Sequence, residues 1–318
     1  MPDRSKPLNL SPYGGGSWSA REQSVTEELG SVWAQCGINS EWSRLKAVLL
    51  HRPGESLAAS QDPDTVQMLA VVDVAKAQQQ HDALAQAYSD AGVAVHYVET
   101  DESSSPNQMF MADLLFSTPE GTIVARPAST VRAGEERQTA GKLARLGIPI
   151  PRSVSGRGTF EGADAMWISP QKVILGQGLR TNREGCDQVT TVLNQMGVEV
   201  VRVDLPVGTM HLMGVLRFLD RDLAFAWPLR MAHAGVEVLQ DEGYRVEYLP
   251  DPDEVLHGFG LNFVTLGPRE IIMPAGNPTT QKFLEELGVN CVTVEVDELG
   301  KAAGSIGCLT GVLHREPV

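Results

Sequence analysis

The sequence predicts an α/β fold built from five small repeated units, and three observations carry that expectation. Five segments share one local grammar, a helical stretch closed by glycine and followed by a short alternating strand: AYSDAGVAVHYVE, ARLGIPIPRSV, LNQMGVEVVRVD, QDEGYRVEYLP and EELGVNCVTVEV. Their glycines, Gly92, Gly147, Gly197, Gly243 and Gly288, are 55, 50, 46 and 45 residues apart. A compact apolar run precedes each helix, in LKAVLLHRP, GTIVARP, KVILGQGLR, DLAFAWP and EIIMPAG. The order is therefore strand, loop, helix, glycine, strand, repeated five times, with further strands between units in GADAMWIS and GVLRFLD.

Glycine just past a helix adopts the left-handed conformation without strain on a Cβ, and period-two alternation after it suits a strand. Strands alternating with helices mean α/β class. Five units are too few for an eight-fold barrel. A doubly wound sheet would carry a glycine-rich phosphate loop after its first strand, where LKAVLLHRPGES has one glycine. A closed ring of five ββαβ units fits better. In such a ring the loops of successive units converge on the axis, so a site draws its residues from positions scattered along the chain.

The 318 residues are 42% hydrophobic and 21% charged, ordinary for a globular chain with a large core. A net charge of −14 opposes nucleic-acid binding, which needs a basic face, and is compatible with a cationic substrate. Cys36, Cys186, Cys291 and Cys308 form neither a disulfide framework nor a zinc pattern, which fits a reducing, cytoplasmic compartment. No stretch of about 18 apolar residues suggests a membrane span, and the N-terminus lacks a secretory apolar segment. Residues 1–40 read as a partly flexible N-terminal extension and 41–318 as a single domain. The Gly14–Gly16 run reads most simply as a flexible tail, with a lid as the alternative.

Candidate chemistry lies in separate repeats. Cys308, in GSIGCLTGVL, is flanked by small residues that let backbone and ligand approach closely. A buried structural thiol is the plainer alternative, since a thiol is a nucleophile only when a base or a favourable charge is near. His211, in VGTMHLMGVL, sits at the edge of an apolar strand, where α/β proteins place catalytic groups and where core histidines also occur. Glu161 and Asp164, in GTFEGADAMW, are two carboxylates in an apolar context, and burying them requires a partner such as a guanidinium. Asp113, in NQMFMADLLF, is a lone acid in an apolar run. Arg126, Arg132 and Arg180 occupy loops, where arginine suits a carboxylate or is simply solvated.

From about residue 41 onward the chain resembles the guanidino-group-modifying enzymes, the pentein superfamily, on the runs FMAD, ARPASTVRAGE, EGAD, GLRTNREG, MHLMG, IIMPAGNPTTQ and IGCLTG. It looks closest to the bacterial dimethylarginine dimethylaminohydrolases. The resemblance implies a five-bladed α/β propeller and hydrolysis of a guanidine without metal or organic cofactor. By the same resemblance Cys308 is the nucleophile, His211 the general acid and base, and Glu161 and Asp113 the carboxylates that grip the guanidinium. Asp164 counts with the substrate-binding residues, or orients His211 or a neighbour, and Arg126 and Arg180 hold the substrate's α-carboxylate.

Three positions depart from the pattern. Met213 stands where deiminases and amidinotransferases carry an aspartate, which favours the dimethylargininase-like class. Ala112 replaces a frequent second carboxylate and Ala163 a more usual glycine. The alternatives are an amidinotransferase, against which Met213 speaks, and a non-catalytic ring protein, against which Cys308 and His211 speak. The expected partner is a small guanidine. A homodimer is among the assemblies such folds form, and nothing in the sequence marks an interface.

Overall fold

The computed structural model of the protein describes residues 19–58, 62–99 and 105–318. The glycine run at Gly14–Gly16 lies outside them. The short helix α1 (Val25–Glu28) begins on a capping box, with Ser24 and Glu27 each closing the other's free backbone group. Past it the chain joins the core: Cys36 and Ile38 are buried, and Gly37 bridges to His314. The second half of the predicted extension is thus packed against the domain.

Among the described residues there are five three-stranded sheets. The first repeat contributes β1 (Leu45–Leu50), α2 (Val74–Asp90) and β2 (Ala94–Tyr97). The second is β3 (Leu115–Thr118), β4 (Gly121–Val124), α3 (Glu135–Arg145) and β5 (Arg152–Ser153). The third is β6 (Ala165–Ser169), β7 (Lys172–Gln177), α4 (Arg183–Gln195) and β8 (Glu199–Asp204). The fourth is β9 (Leu216–Asp220), β10 (Leu223–Ala226), α5 (His233–Asp241) and β11 (Arg245–Tyr248), followed by α6 (Pro252–Gly258). The fifth is β12 (Val264–Gly267), β13 (Glu270–Pro274), α7 (Pro278–Glu286) and β14 (Asn290–Val294). After α8 (Asp297–Gly300) and α9 (Ile306–Leu309), β15 (Gly311–Arg315) supplies the missing strand of the first sheet.

Each sheet has the same wiring. The middle strand pairs antiparallel with the strand before it and parallel with the strand after the helix, as in Ala165↔Leu175 and Lys172↔Glu199. Parallel neighbours need a crossover, and the helix is that crossover. Middle strands are buried on both faces, which explains their continuous apolar runs: Val173, Ile174 and Leu175 are fully enclosed. Helix α4 starts on the Asn182 side chain, which accepts from the Gly185 amide, and buries the stripe Cys186, Val189, Val192 and Leu193. It stops at Gly197. All five repeat glycines are left-handed, with φ between 74° and 87°.

The ring closes through β15, whose Arg315 and Gly311 register with Leu45 and Leu49 of β1. Around the axis β15 lies beside β3, β1 beside β12, and β12 beside β9. The first strands of the units therefore form the inner wall, and the turn leading into each one opens at one end of the axis. This is the five-fold α/β propeller expected from the repeats. No helix among the described residues is long and apolar enough to cross a membrane.

Candidate active site

The turns leading into the five inner strands carry the candidate chemistry. Single turns of 3-10 helix span Met111–Asp113, Gly162–Asp164 and Leu212–Gly214, ahead of β3, β6 and β9. Residues Gly260–Asn262 precede β12, and α9 precedes β15. These positions bring Asp113, Glu161, His211 and Cys308 to one place although they are spread over nearly 200 residues. Gly162 is required there, because a Cβ would run into the backbone carbonyls of Leu115 and Ala112 in the neighbouring unit.

Glu161, His211 and Asp113 form the centre. His211 Nε2 lies 2.6 Å from Glu161 Oε2 and 3.7 Å from Asp113 Oδ1. The other Glu161 oxygen accepts from the Ala128 amide at 3.0 Å. Burial would push the Glu161 carboxyl up. The bond from His211, the charge of that ring and the charges of Arg132 and Arg180 prevail, and hold it down at about 2. Burial likewise disfavours a charged His211, but the charge of Asp113, the bond to Glu161 and the charge of Asp164 raise it to about 9. At neutral pH the pair is an imidazolium on a carboxylate, so His211 is poised as a proton donor.

Asp164 takes a supporting place. It is fully buried, with Oδ1 accepting from the Leu212 amide at 3.0 Å and Oδ2 from the Thr181 hydroxyl at 2.6 Å. Burial raises its carboxyl to about 6. Both oxygens are used by the protein, so the expectation that Asp164 binds substrate gives way to one in which it fixes the backbone carrying His211.

Arg126 does not reach the site. Its backbone pairs with Phe160, and its Nη1 donates to the Gly158 carbonyl at 3.0 Å, which ties the side chain to the third unit's loop. Arg132, six residues on, lines the cavity instead. Its guanidinium is buried between Asp113 Oδ2 at 2.6 Å and Glu135 Oε2 at 2.9 Å, and Glu135 also accepts from Ser105. Arg180 lines the same cavity and lies 3.3 Å from Glu161 Oε1.

Replacing Arg132 with methionine leaves two buried carboxylates without their cation. The expected cost is about 3–5 kcal/mol of unfolding free energy. Urea titration reads it as a lower midpoint at an unchanged slope.

Asp113 keeps one oxygen free. Its Oδ1 is buried and has no hydrogen-bond partner among the described residues. A buried acceptor without a donor is costly, and an incoming N–H group would satisfy it. Asp113, Glu161 and His211 also hold ligand-type atoms within 4.8 Å of one another. A metal ion would have to displace the Arg132 cation and the His211 proton, so the cluster favours an N–H cation over a metal.

Cys308 lies on the wall shared by two cavities. The polar one is lined by Asp113, Arg132, Arg180, His211 and Cys308. The other, about 260 Å³, is also lined by His211 and Cys308, but its remaining walls are mainly apolar, with Met213, Trp227, Val255 and Leu261, and it carries no carboxylate. The thiol is raised by burial and by the Asp113 charge. A bond from Asn262, one from the Ser305 backbone and the Arg217 charge oppose that rise. Cys36, Cys186 and Cys291 are raised to between about 11 and about 12, chiefly by burial, and line neither cavity.

Sequence reasoning missed Asn262, Thr181 and Glu135. Asn262 was findable: counting the repeat from His211 to Cys308 leaves one unit, GFGLNFVTLG, without an assigned turn residue. Glu135 and Thr181 sit in loops and helix starts that the repeat does not index.

Comparison with known proteins shows the family and the fold. The family model "N,N dimethylarginine dimethylhydrolase, eukaryotic" matches residues 65–315. The N(G),N(G)-dimethylarginine dimethylaminohydrolase of Pseudomonas aeruginosa is 28% identical over 275 residues, covering 83% of this chain and 98% of its own. An arginine deiminase of Lactococcus lactis is 23% identical, over 88% of this chain and 98% of its own. Among solved structures, a dimethylarginine dimethylaminohydrolase carrying a 4-chloro-2-hydroxymethylpyridine adduct superposes with a TM-score of 0.70 at 25% identity, covering 84% of this chain and 98% of its own. The amidinotransferase SxtG of Microseira wollei shares the fold, with a TM-score of 0.74 at 14% identity over 89% of this chain and 98% of its own.

Proposed function

The chain belongs to the N,N-dimethylarginine dimethylhydrolase family and is a C–N hydrolase acting on guanidino groups, and from that premise we propose that it hydrolyses an N-methylated arginine to citrulline and a methylamine through a covalent intermediate on Cys308. One observation carries the reading: a thiol, a protonated imidazole and an unpartnered carboxylate oxygen line one cavity.

The guanidinium donates to Asp113 Oδ1, which fixes its plane and satisfies the buried oxygen. Its positive charge beside Cys308 offsets the Asp113 charge that keeps the thiol protonated, so the thiolate forms as the substrate arrives and its proton passes to solvent. Sγ attacks the central carbon, a C–S bond forms, and a C=N electron pair moves onto nitrogen. His211 gives its proton to the methylated nitrogen, the C–N bond breaks, and the amine leaves a thiouronium on sulfur. Neutral His211 then takes a proton from water, the oxygen adds to the carbon, the C–S bond breaks to release the thiolate, and the hydroxyl loses its remaining proton to solvent as the ureido carbonyl forms.

The apolar cavity beyond Met213 receives the methylated nitrogen. An N-methyl group has no N–H to satisfy an acid there, so a wall without carboxylates suits it and penalises a free NH₂. Arg180 faces the polar cavity and is the residue available to a substrate carboxylate, whereas the donors of Arg132 are taken up by Asp113, Glu135 and the Asn107 and Phe110 carbonyls.

The test is a panel of arginine, mono- and dimethylated arginine, agmatine, guanidinoacetate and guanidinobutyrate, with products followed by mass spectrometry. A methylated arginine is expected to give citrulline and the amine at a kcat/KM at least about tenfold above arginine's, the discrimination of roughly 1–3 kcal/mol that one pocket contact supplies. Consumption of arginine in preference to its methylated forms, or transfer to an added amine in place of hydrolysis, overturns the proposal.

A further inference from the structure

The fifth unit's turn presents Asn262 to the nucleophile. Asn262 makes three hydrogen bonds to the two residues Gly307 and Cys308. Its backbone carbonyl accepts from the Gly307 amide at 3.0 Å, its Oδ1 accepts from the Cys308 amide at 3.1 Å, and its Nδ2 stands 3.0 Å from Cys308 Sγ. The side chain is buried, and the backbone N–H of Asn262 donates to the Phe259 carbonyl at 2.7 Å. The network fixes which way the side-chain amide faces. A backbone N–H can only donate, so the atom facing it is oxygen, and the NH₂ group is thereby turned onto sulfur.

That orientation makes sulfur the acceptor. An NH₂ group has no lone pair to take a thiol proton, so the bond is weak while Cys308 is a thiol and strengthens when it ionises. A donor that binds the charged form better than the neutral one favours the charged form. The surroundings make the need plain. Asp113 lies on one side of Cys308 and opposes its ionisation, and Arg217 lies beneath, packed so closely that a Cβ on Gly307 would run into its guanidinium. Arg217 Nε donates to the Leu261 carbonyl at 2.9 Å, next to Asn262, while its Nη2 is buried without a partner among the described residues.

We propose that Asn262 is a catalytic residue, which holds Cys308 in line through its amide oxygen and stabilises the attacking and departing thiolate through its Nδ2–H···Sγ bond. This rests on the hydrolase reading for its kinetic consequence but not for its chemical one. A thiolate is expelled again when the intermediate resolves, so the same donor acts in both halves of the reaction.

The test uses the full-length protein with Asn262→Asp and Asn262→Leu. Asp keeps the shape and the acceptor for the Cys308 amide but cannot donate to sulfur when ionised, whereas Leu loses both contacts. The first readout is iodoacetamide alkylation of Cys308 against pH, followed by peptide mass spectrometry, and it needs no substrate. The midpoint is expected to move up by about one pH unit in Asn262→Leu, which loses the donor and adds no charge, and further in Asn262→Asp, whose carboxylate also repels the thiolate, with Asp113 and Arg217 unchanged around it. The second readout is kcat and KM on the preferred guanidine of the panel. Loss of one preorganised donor is expected to lower kcat about 100-fold in both variants, with KM within about threefold.

If Asn262→Leu does not fold, as judged by circular dichroism, Asn262→Ser, which is uncharged and too short to reach sulfur, decides in its place. An unchanged alkylation profile, or a loss confined to KM, overturns the proposal. Should the wild-type protein consume no guanidine while the alkylation shift is present, the hydrolase reading fails and the role of Asn262 toward sulfur stands.

Discussion

Cys308→Ser is expected to lower turnover of the preferred guanidine by at least about 10³-fold, because the variant keeps the binding groups and loses the atom that forms the covalent bond. Serine is smaller and far less acidic than the thiol, and His211, already protonated and held by Glu161, is in no state to act as its base. The cavity is otherwise unaltered, so substrate binding measured by calorimetry is expected to persist within a few-fold. Rapid quench of the wild-type protein, followed by peptide mass spectrometry, is expected to show an alkylthiouronium adduct, the substrate less its methylamine, on the peptide carrying Cys308 and nothing on Cys36, Cys186 or Cys291. A Cys308→Ser protein with substantial turnover would place the chemistry elsewhere.

The second large effect concerns the imidazolium. Glu161→Gln removes the bond at 2.6 Å and one of the charges that lift His211 to about 9. The alkaline limb of kcat/KM, where His211 loses its proton, is expected near pH 9 in the wild-type protein and lower in the variant, moving toward the ordinary value of 6.5. At pH 8 the loss in kcat/KM is expected to reach about 10²-fold, combining a deprotonated acid with a mispositioned ring.

Stability has a defined sign as well. His211 is raised on folding, so its contribution is full below 6.5 and fades as pH rises through about 9. Glu161 is lowered, so its contribution is full above 4.5 and is lost as pH falls toward about 2. The wild-type advantage over Glu161→Gln in urea titrations should therefore be largest between those limits and shrink above pH 9. A constant difference across that range would show that the two groups are not linked.

Much of this was readable from the sequence, for a physical reason. Period-two strands, amphipathic helices and left-handed glycines are local signals, and each repeat states them afresh, so the five units and their order could be read without contacts. Cys308, His211, Glu161 and Asp113 stood out because polar groups just ahead of apolar strands need a purpose. What stayed hidden depends on distances between units. Arg126 and Arg132 share one run, ARPASTVRAGE, and only the pairing of Arg126 with Phe160 turns the first away and leaves the second to enter the cavity. Asp164 looked like a ligand because it is an acid beside Glu161; its bond to Thr181 depends on how the third unit's loop folds back, and its bond to the Leu212 amide appears only once the third and fourth units meet. Asn262 carries no charge and sits in an unremarkable run, so its contact with Cys308 is legible only from the ring.

The placing of one turn per unit at the mouth of the axis has an evolutionary reading. Each sheet is hydrogen-bonded within itself, so the residue at the head of one inner strand can be exchanged while the other four keep their footing. Two seats hold acids, one an imidazole, one an amide and one a thiol. A lineage could thus revise recognition at the Asp113 seat while the thiol, the amide and the imidazole with its Glu161 partner keep the bond-breaking steps, without refolding the frame.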